Sequence, residues 1–292
     1  MKIVKHIIHS FLIVSGIGFV ACSERMEIDV DDAPVQLAVY GNITTDTMQH
    51  AITVQQTSNF FAASQPVGIS GATVTISDNE GATFTLTESQ NGEYLTDAAV
   101  FGVEGKTYTL KVVIVSGDFA GEYGATSYLP YSAQVDSVTL QRADTRTING
   151  LLYGRLPAES DNHYLKIAAY KNDHVSLNAT LAKFNIFNIE NGSGKTIDGE
   201  VCINFRDGGD NANSIEQGDI ITVHVCSITK EYADYVLNAQ EELQWSMPIF
   251  SGPPANVQTN ISAKNASAPV CGFFTAYSKQ SGKVGFSAMT GK

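Results

Sequence analysis

The sequence predicts a mainly β protein, a β-sandwich domain followed by a second β-rich domain that carries one amphipathic helix. Two observations lead to this fold class. Short segments of alternating apolar and polar residues recur about every 8 to 12 residues between Gly, Asn and Asp turns, a pattern typical of sandwiches. Helical periodicity, in contrast, is almost absent before residue 229.

The first half of the chain contains the clearest hairpin. Ala72–Ser77 pairs with Ala82–Thr87 across the turn residues Asp78–Gly81, which have the chemistry of a tight turn. Its apolar side chains would share one face, and they are Val74, Ile76, Phe84 and Leu86. A long alternating strand follows at Lys106–Val115. This order resembles immunoglobulin-like or prealbumin-like modules, which usually serve as spacers or docking platforms.

The pattern breaks at Tyr128–Tyr131, where we expect the domain boundary. The predicted domains are therefore a β-sandwich at 35–130 and a β-rich domain at 131–292. In the second domain the strongest strand is Asp219–Cys226, and two apolar segments close the chain at Val270–Tyr277 and Val284–Met289.

A helix is predicted near 229–243. Thr229 is a suitable N-cap, and Glu231 lies in the first turn, where the helix dipole favours a negative charge. The apolar residues form one stripe at helical spacing, and they are Tyr232, Tyr235, Val236, Ala239 and Leu243. Such a helix most often covers the end or the edge of a sheet.

The N-terminus has the features of a secretory signal peptide at residues 1–21. Lys2 and Lys5 precede an apolar run that is too short to cross a bilayer of roughly 30 Å. The cysteine at the expected cleavage point, Cys22, resembles the lipid-attachment residue of a bacterial lipobox. Residues 22–34 are rich in acids and would form a lipidated tether.

The formal net charge is −12, which argues against nucleic acid as a partner. Beyond the signal peptide three cysteines remain, Cys202, Cys226 and Cys271. Strand alternation places Cys202 beside Asn204, and Cys226 beside His224, on the less apolar faces of their strands. Three alternatives are open for these cysteines. They could form a Cys202–Cys226 disulfide, a metal site of these two cysteines with His224, or unreactive buried thiols.

Motifs of the common hydrolases, nucleotide-binding loops and zinc enzymes are absent from the sequence. We therefore predict no enzymatic activity, no cofactor and no metal, with calcium at the loop 207–213 as a weaker alternative. Glycan binding needs aromatic platforms. The candidates are Tyr123, Tyr128 and Tyr131 at the predicted domain junction, and Trp245, the single tryptophan, after the helix.

The order of several segments resembles one family of bacterial proteins. The segments that carry it are 39–44, 67–74, Gly92–Tyr94, Gly105–Leu110, Gly218–Asp219, the helix with Tyr232 and Tyr235, 253–261 and 271–278. Together they are similar to the Bacteroidetes outer-membrane lipoproteins called "domain of unknown function 4249". The resemblance implies lipid attachment at Cys22 and proximity to TonB-dependent outer-membrane receptors, and it implies no catalytic residue.

These observations predict a lipid-anchored protein of the outer membrane, facing the outside, that captures a nutrient for a TonB-dependent receptor. The ligand is unknown and could be a glycan, a peptide or another nutrient. Two other classes stay open. A structural or adhesive surface module would explain the absence of motifs, and a hydrolase would need clustered acids with perturbed pKa values in a cleft.

Overall fold

The computed structural model describes residues 35–58, 65–209, 213–243, 257–266 and 268–287. These described residues all belong to one compact unit. The predicted signal peptide, the tether with Cys22, and Trp245 lie outside the described residues.

The described residues form nine strands before the predicted boundary at residue 130. They are β1 (Leu37–Thr44), β2 (Ala51–Gln56), β3 (Val67–Gly68), β4 (Thr73–Asp78), β5 (Thr83–Thr85), β6 (Thr87–Gln90), β7 (Glu93–Leu95), β8 (Thr107–Ile114) and β9 (Gly121–Tyr128). The predicted hairpin is confirmed as β4 and β5, with Val74 and Ile76 fully buried. Its turn is held by Asp78, whose Oδ1 accepts from Glu80 N at 3.0 Å and Ala82 N at 2.9 Å.

The described part of the second half contains ten strands and a helix. They are β10 (Gln134–Arg142), β11 (Thr147–Arg155), β12 (His163–Lys171), β13 (Val175–Ser176), β14 (Asn185–Ile189), β15 (Thr196–Asp207), β16 (Ser214–Ile215), β17 (Ile220–Ile228), α1 (Lys230–Leu243), β18 (Ser262–Lys264) and β19 (Val270–Gly285). The mainly β fold class is confirmed. The first closing apolar segment, Val270–Tyr277, lies within β19, a single strand that ends at Gly285 and includes only Val284 and Gly285 of the second segment.

The strands form three sheets. A ten-stranded sheet has the order β13-β12-β17-β19-β1-β2-β7-β6, with β14 paired to β12 and β3 paired to β2. A five-stranded sheet has the order β18-β9-β8-β4-β5, and a four-stranded sheet has the order β10-β11-β15-β16. Strands from both halves of the sequence therefore share the largest sheet.

The last strand, β19, connects the two halves. Val270–Tyr277 pairs in parallel with β1, and Ser278–Gly285 pairs antiparallel with β17. Asn260 satisfies the backbone of Phe274 in β19, since its side chain donates to Phe274 O at 2.7 Å and accepts from Phe274 N at 3.0 Å. The segment around Asn260 thus has a structural role.

The hydrophobic residues form two large clusters. The first includes Val39, Tyr108 and Leu129 together with Phe274 of β19, and the second includes Ile148, Ile167 and Val223. Along the chain, buried residues up to Leu129 belong to the first cluster and those from Ala133 to the second, so the change lies next to the predicted boundary. Residues 261 and 274–276 nevertheless complete the first cluster, although the sequence assigned them to the second domain. The two-domain division itself stays a prediction.

Helix α1 confirms the predicted helix. The Thr229 hydroxyl accepts from Tyr232 N at 3.3 Å, so Thr229 acts as the N-cap. Val236 and Ala239 are buried as predicted, but Leu243 is 61% exposed and Ala233 is buried in its stead. Leu243 is the last helical residue, whereas Ala233 lies one turn before Val236 and faces the sheet beside Cys226 and Ile228.

Candidate functional site

An open cleft of about 370 Å³ lies where the chain passes from the first hydrophobic cluster to the second. Three segments contribute its lining, namely Tyr128–Tyr131 at the end of β9 and beyond it, Pro157–Tyr164 before and at the start of β12, and Ser227–Glu231 from the end of β17 to the start of α1. The cleft lies at the predicted domain junction, which is a common position for a ligand site.

Two exposed tyrosines form one wall of the cleft. Tyr128 is 42% exposed and Tyr131 is 38% exposed. Tyr131 lies against Gly105, where an added Cβ would come within 2.7 Å of the tyrosine hydroxyl. The absence of a side chain at Gly105 therefore makes room for this ring.

The backbone that carries the tyrosines is held by hydrogen bonds. Leu129 N donates to Lys106 O at 2.8 Å, and its carbonyl accepts from Gly105 N at 2.9 Å. Ala133 N donates to Ser227 Oγ at 3.0 Å, and Glu104 accepts from both the backbone and the hydroxyl of Ser132. A binding surface fixed in this way loses little conformational entropy when a ligand binds.

The remaining walls are polar. Glu159, Lys230 and Glu231 bring charges to the cleft, and Lys230 also pairs with Asp234 at 2.5 Å. Burial, Tyr131 and Glu159 together raise the pKa of Tyr128, so its hydroxyl stays protonated and able to donate. Aromatic faces beside hydrogen-bonding groups are suited to binding an uncharged polar ligand.

His163 is a buried titratable residue of the cleft, with 7% exposure. Its Nε2 has no hydrogen-bond partner among the described residues. Burial lowers the pKa of the imidazole, so the ring is neutral near pH 7.

The sequence predicted two of the cleft residues and was wrong about a third. Tyr123 is fully buried in the first cluster, and its hydroxyl donates to Phe119 O at 2.9 Å. The reason is the two-residue period of β9, in which Tyr123, Ala125 and Ser127 point inward while Tyr128 points outward. The walls at 157–164 and 227–231 were missed, because only the tertiary structure brings them beside Tyr128.

A buried lysine was also missed. Lys166 of β12 is 5% exposed, and its Nζ lies 4.1 Å from the ring centre of Tyr277, 4.8 Å from that of Phe184 and 5.3 Å from that of Tyr232. Among the described residues no carboxylate is within ion-pairing distance of it. Burial lowers the pKa of this lysine. Its sequence environment, Tyr164–Tyr170, gave only the signal of an ordinary strand.

The three described cysteines are free thiols, so the Cys202–Cys226 disulfide is not formed. Cys226 lies on the outer face of β17 in contact with α1 residues, whereas Cys202 lies inside the second cluster. The predicted face of Cys202 was wrong because β15 shifts register between its pairs with Gly150 and Leu151, which turns Cys202 inward. Burial raises the pKa of the Cys202 thiol to about 12.

The described part of the chain holds no group of three or more His, Cys, Asp or Glu side chains arranged to bind a metal ion. The loop proposed for calcium lies partly outside it, at residues 210–212. None of the helices in the described ranges combines the length and the hydropathy needed to span a bilayer.

Comparison with known proteins gives one strong match. A family model described as "Domain of unknown function (DUF4249)" matches residues 23–283. No curated protein matches the sequence. Among solved structures, a two-domain fibronectin type III segment from chicken tenascin is similar over 66% of this chain and 91% of its own, at 9% identity and a TM-score of 0.21. A likeness at that TM-score carries no argument about function.

Proposed function

The chain belongs to the DUF4249 family, to which no activity is assigned, and we propose that it is a binding lipoprotein that captures a nutrient for a TonB-dependent outer-membrane receptor. The observation that carries the binding role is the cleft with Tyr128 and Tyr131 exposed on a hydrogen-bonded backbone. Capture and release need such a preformed surface and need no covalent chemistry.

The proposed location rests on the N-terminal sequence. Cys22 follows a short apolar run and precedes an acidic segment, so it would carry the lipid that anchors the protein to the outer membrane. The acidic segment favours the outward-facing surface, by its resemblance to the export tag of surface lipoproteins.

The proposed ligand class is a glycan or a short polar peptide. The faces of the two tyrosines can pack against a sugar ring or a peptide side chain, while Asn162, Ser160 and Thr229 supply hydrogen-bonding groups. The acidic side chains Glu159 and Glu231 disfavour an anionic ligand.

A structural module is the second candidate, and β19 favours it. One strand pairs with strands of both halves of the sequence, so the two halves are joined within a single sheet. A chain joined in this way would suit a spacer or an adhesin. A hydrolase remains the third class, with no specific observation in its favour.

The proposal is tested first by a native pull-down of C-terminally tagged protein from solubilised outer membranes, with partners identified by mass spectrometry. A TonB-dependent receptor recovered in stoichiometric amount supports the proposal. Recovery of the protein alone, in a detergent that preserves known receptor complexes, would reject the uptake role and favour the structural module.

We predict that Tyr128→Ala and Tyr131→Ala each weaken ligand binding about tenfold, since exposed aromatic anchors commonly contribute more than about 1 kcal/mol. The measurement is retardation in native gels that contain starch, xylan or mannan, followed by calorimetry with fragments of the retarding polymer. Tyr40→Ala is the matched control, because Tyr40 is also 38% exposed but lies in β1, outside the cleft. Equal loss in the control would contradict a specific site.

A further inference from the structure

The second sandwich contains an apolar cavity of about 200 Å³ that is separate from the tyrosine cleft. Its floor is formed by Leu152 and Leu156 of the β11 side and by Leu165 and Ile167 of β12. Phe187 and Ile189 of β14 form one wall, and the residues 195–202 form the other. The wall strands belong to different sheets, so the cavity is the gap between the two layers of the sandwich.

The strands that border the cavity separate between two points of attachment. At one end the Asn185 side chain of β14 donates to Cys202 O of β15 at 3.0 Å. At the other end the connecting turn closes the gap, since Lys195 N donates to Gly192 O at 2.9 Å. In between, β15 skips Gly199 and Cys202 in its pairing with β11, and these bulges bend the strand.

This geometry favours a small ligand over an added strand. A peptide that extends a sheet needs an open edge along several residues, and here the opening is closed at both ends. Protein cores are packed to the density of organic crystals, so an apolar space of this size is exceptional. A cavity of about 150 Å³ with similar lining binds benzene, which indicates room here for roughly six to eight carbon atoms.

The rim indicates the polar end of the ligand. Lys195 and Thr196 are exposed side by side at the turn, where they offer an ammonium group and a hydroxyl group. Lys195 has no ion-pair partner within the described ranges. Glu200 lies further along β15, so the positive end of the opening is the end at the turn.

We propose that this cavity binds a medium-chain carboxylate, with its hydrocarbon chain among Leu152, Leu165 and Phe187 and its carboxylate at Lys195. The site does not depend on the proposed function of the cleft. The hydrocarbon chain of the ligand would make only apolar contacts, so its length would decide how tightly the ligand binds. The ammonium of Lys195 would orient the carboxylate.

Calorimetry with the full chain in phospholipid nanodiscs tests the proposal, with protein-free nanodiscs as the blank. Octanoate is expected to bind saturably at one site, and to bind more tightly than hexanoate by about fourfold per methylene. For decanoate and dodecanoate, the increase in affinity per added methylene is expected to be much smaller, because octanoate already fills the cavity. The proposal is overturned if octanoate does not bind saturably. It is also overturned if affinity keeps rising by the same factor with longer hydrocarbon chains, as simple partitioning would give.

Variants at the opening make the test specific. Ile189→Trp and Val201→Trp each place a ring over the opening and are expected to weaken octanoate binding at least tenfold. Val201 is 42% exposed, so its replacement leaves the core packing intact if Ile189→Trp does not fold. Lys195→Gln should weaken octanoate binding but leave octanol unchanged, and the exposed Lys183→Gln, away from the opening, is the matched control. Unaltered octanoate binding in a folded Trp variant would rule out this cavity as the site.

Discussion

Gly272→Ala is expected to lower the free energy of unfolding by roughly 3 to 5 kcal/mol, the largest effect of any single substitution considered for this protein. Gly272 lies in β19 opposite Val39 of β1, with φ of 104°. A Cβ there would come within 2.0 Å of Val39 O and 2.9 Å of Val39 N. Both atoms belong to the backbone of a buried strand, so the clash has no simple relief.

The effect is large for two independent reasons. A residue with a side chain is strained at this φ by about 1 to 3 kcal/mol, and overpacking against a rigid neighbour adds about 1 to 3 kcal/mol. In addition, β19 completes both hydrophobic clusters, so displacement at Gly272 affects the whole compact unit.

Urea denaturation followed by circular dichroism measures this change. Gly285→Ala is the matched control, because Gly285 ends the same strand and a Cβ there meets no atom within 4 Å. The control is expected to change stability by less than about 0.5 kcal/mol. If Gly272→Ala were as stable as the control, the close pairing of β1 with β19 would be incorrect.

Lys166→Met is expected to stabilise the protein by about 1 to 3 kcal/mol near pH 7. Removing a charge from water costs several kcal/mol, and the three aromatic rings around the ammonium offset only part of this cost. The charged groups near Lys166 do not compensate, since Lys279 has the same sign and Cys226 is a thiol whose pKa burial raises. Methionine has a similar length and no charge.

The pH dependence follows from the lowered pKa of Lys166. Below the folded-state pKa the lysine is charged in both states, and the cost of burying the charge is complete. As the pH rises from there toward the ordinary value of 10.5, the folded protein has already released the proton that the unfolded chain retains. The wild type is therefore stabilised over this range, and the advantage of Lys166→Met should shrink.

The free energy of unfolding of both proteins between about pH 6 and 10 tests this expectation. The exposed Lys183→Met serves as the control and should show neither the gain nor the pH trend. A destabilised Lys166→Met variant would mean that the aromatic rings outweigh the cost of burial, and the lysine would then be an anchor for α1.

The sequence by itself was sufficient for the elements whose signal is local. Two alternating segments and the Asp78–Gly81 turn predict the β4–β5 hairpin. The Thr229 cap and the apolar stripe predict α1. Gly92 and Gly105 have φ of 76° and 80°, values that glycine adopts without strain. Tyr128 and Tyr131 stand where the pattern of alternation stops in the sequence, and both line the cleft.

Only the tertiary structure decided what depends on residues far apart in the chain. The two-residue alternation of β9 puts Tyr123 and Tyr128 on opposite faces of the strand. Which of these faces is buried depends on the packing of the five-stranded sheet, and the buried face is that of Tyr123. A bulge turns Cys202 into the core, and a one-residue shift in register has no signature in residue type. Strand β1 pairs with β19 although more than 200 residues separate the two strands in the chain. The walls of the cleft likewise come from three segments that are distant in the sequence. Local patterns thus determine the elements, whereas pairing and burial depend on the packing of the whole chain.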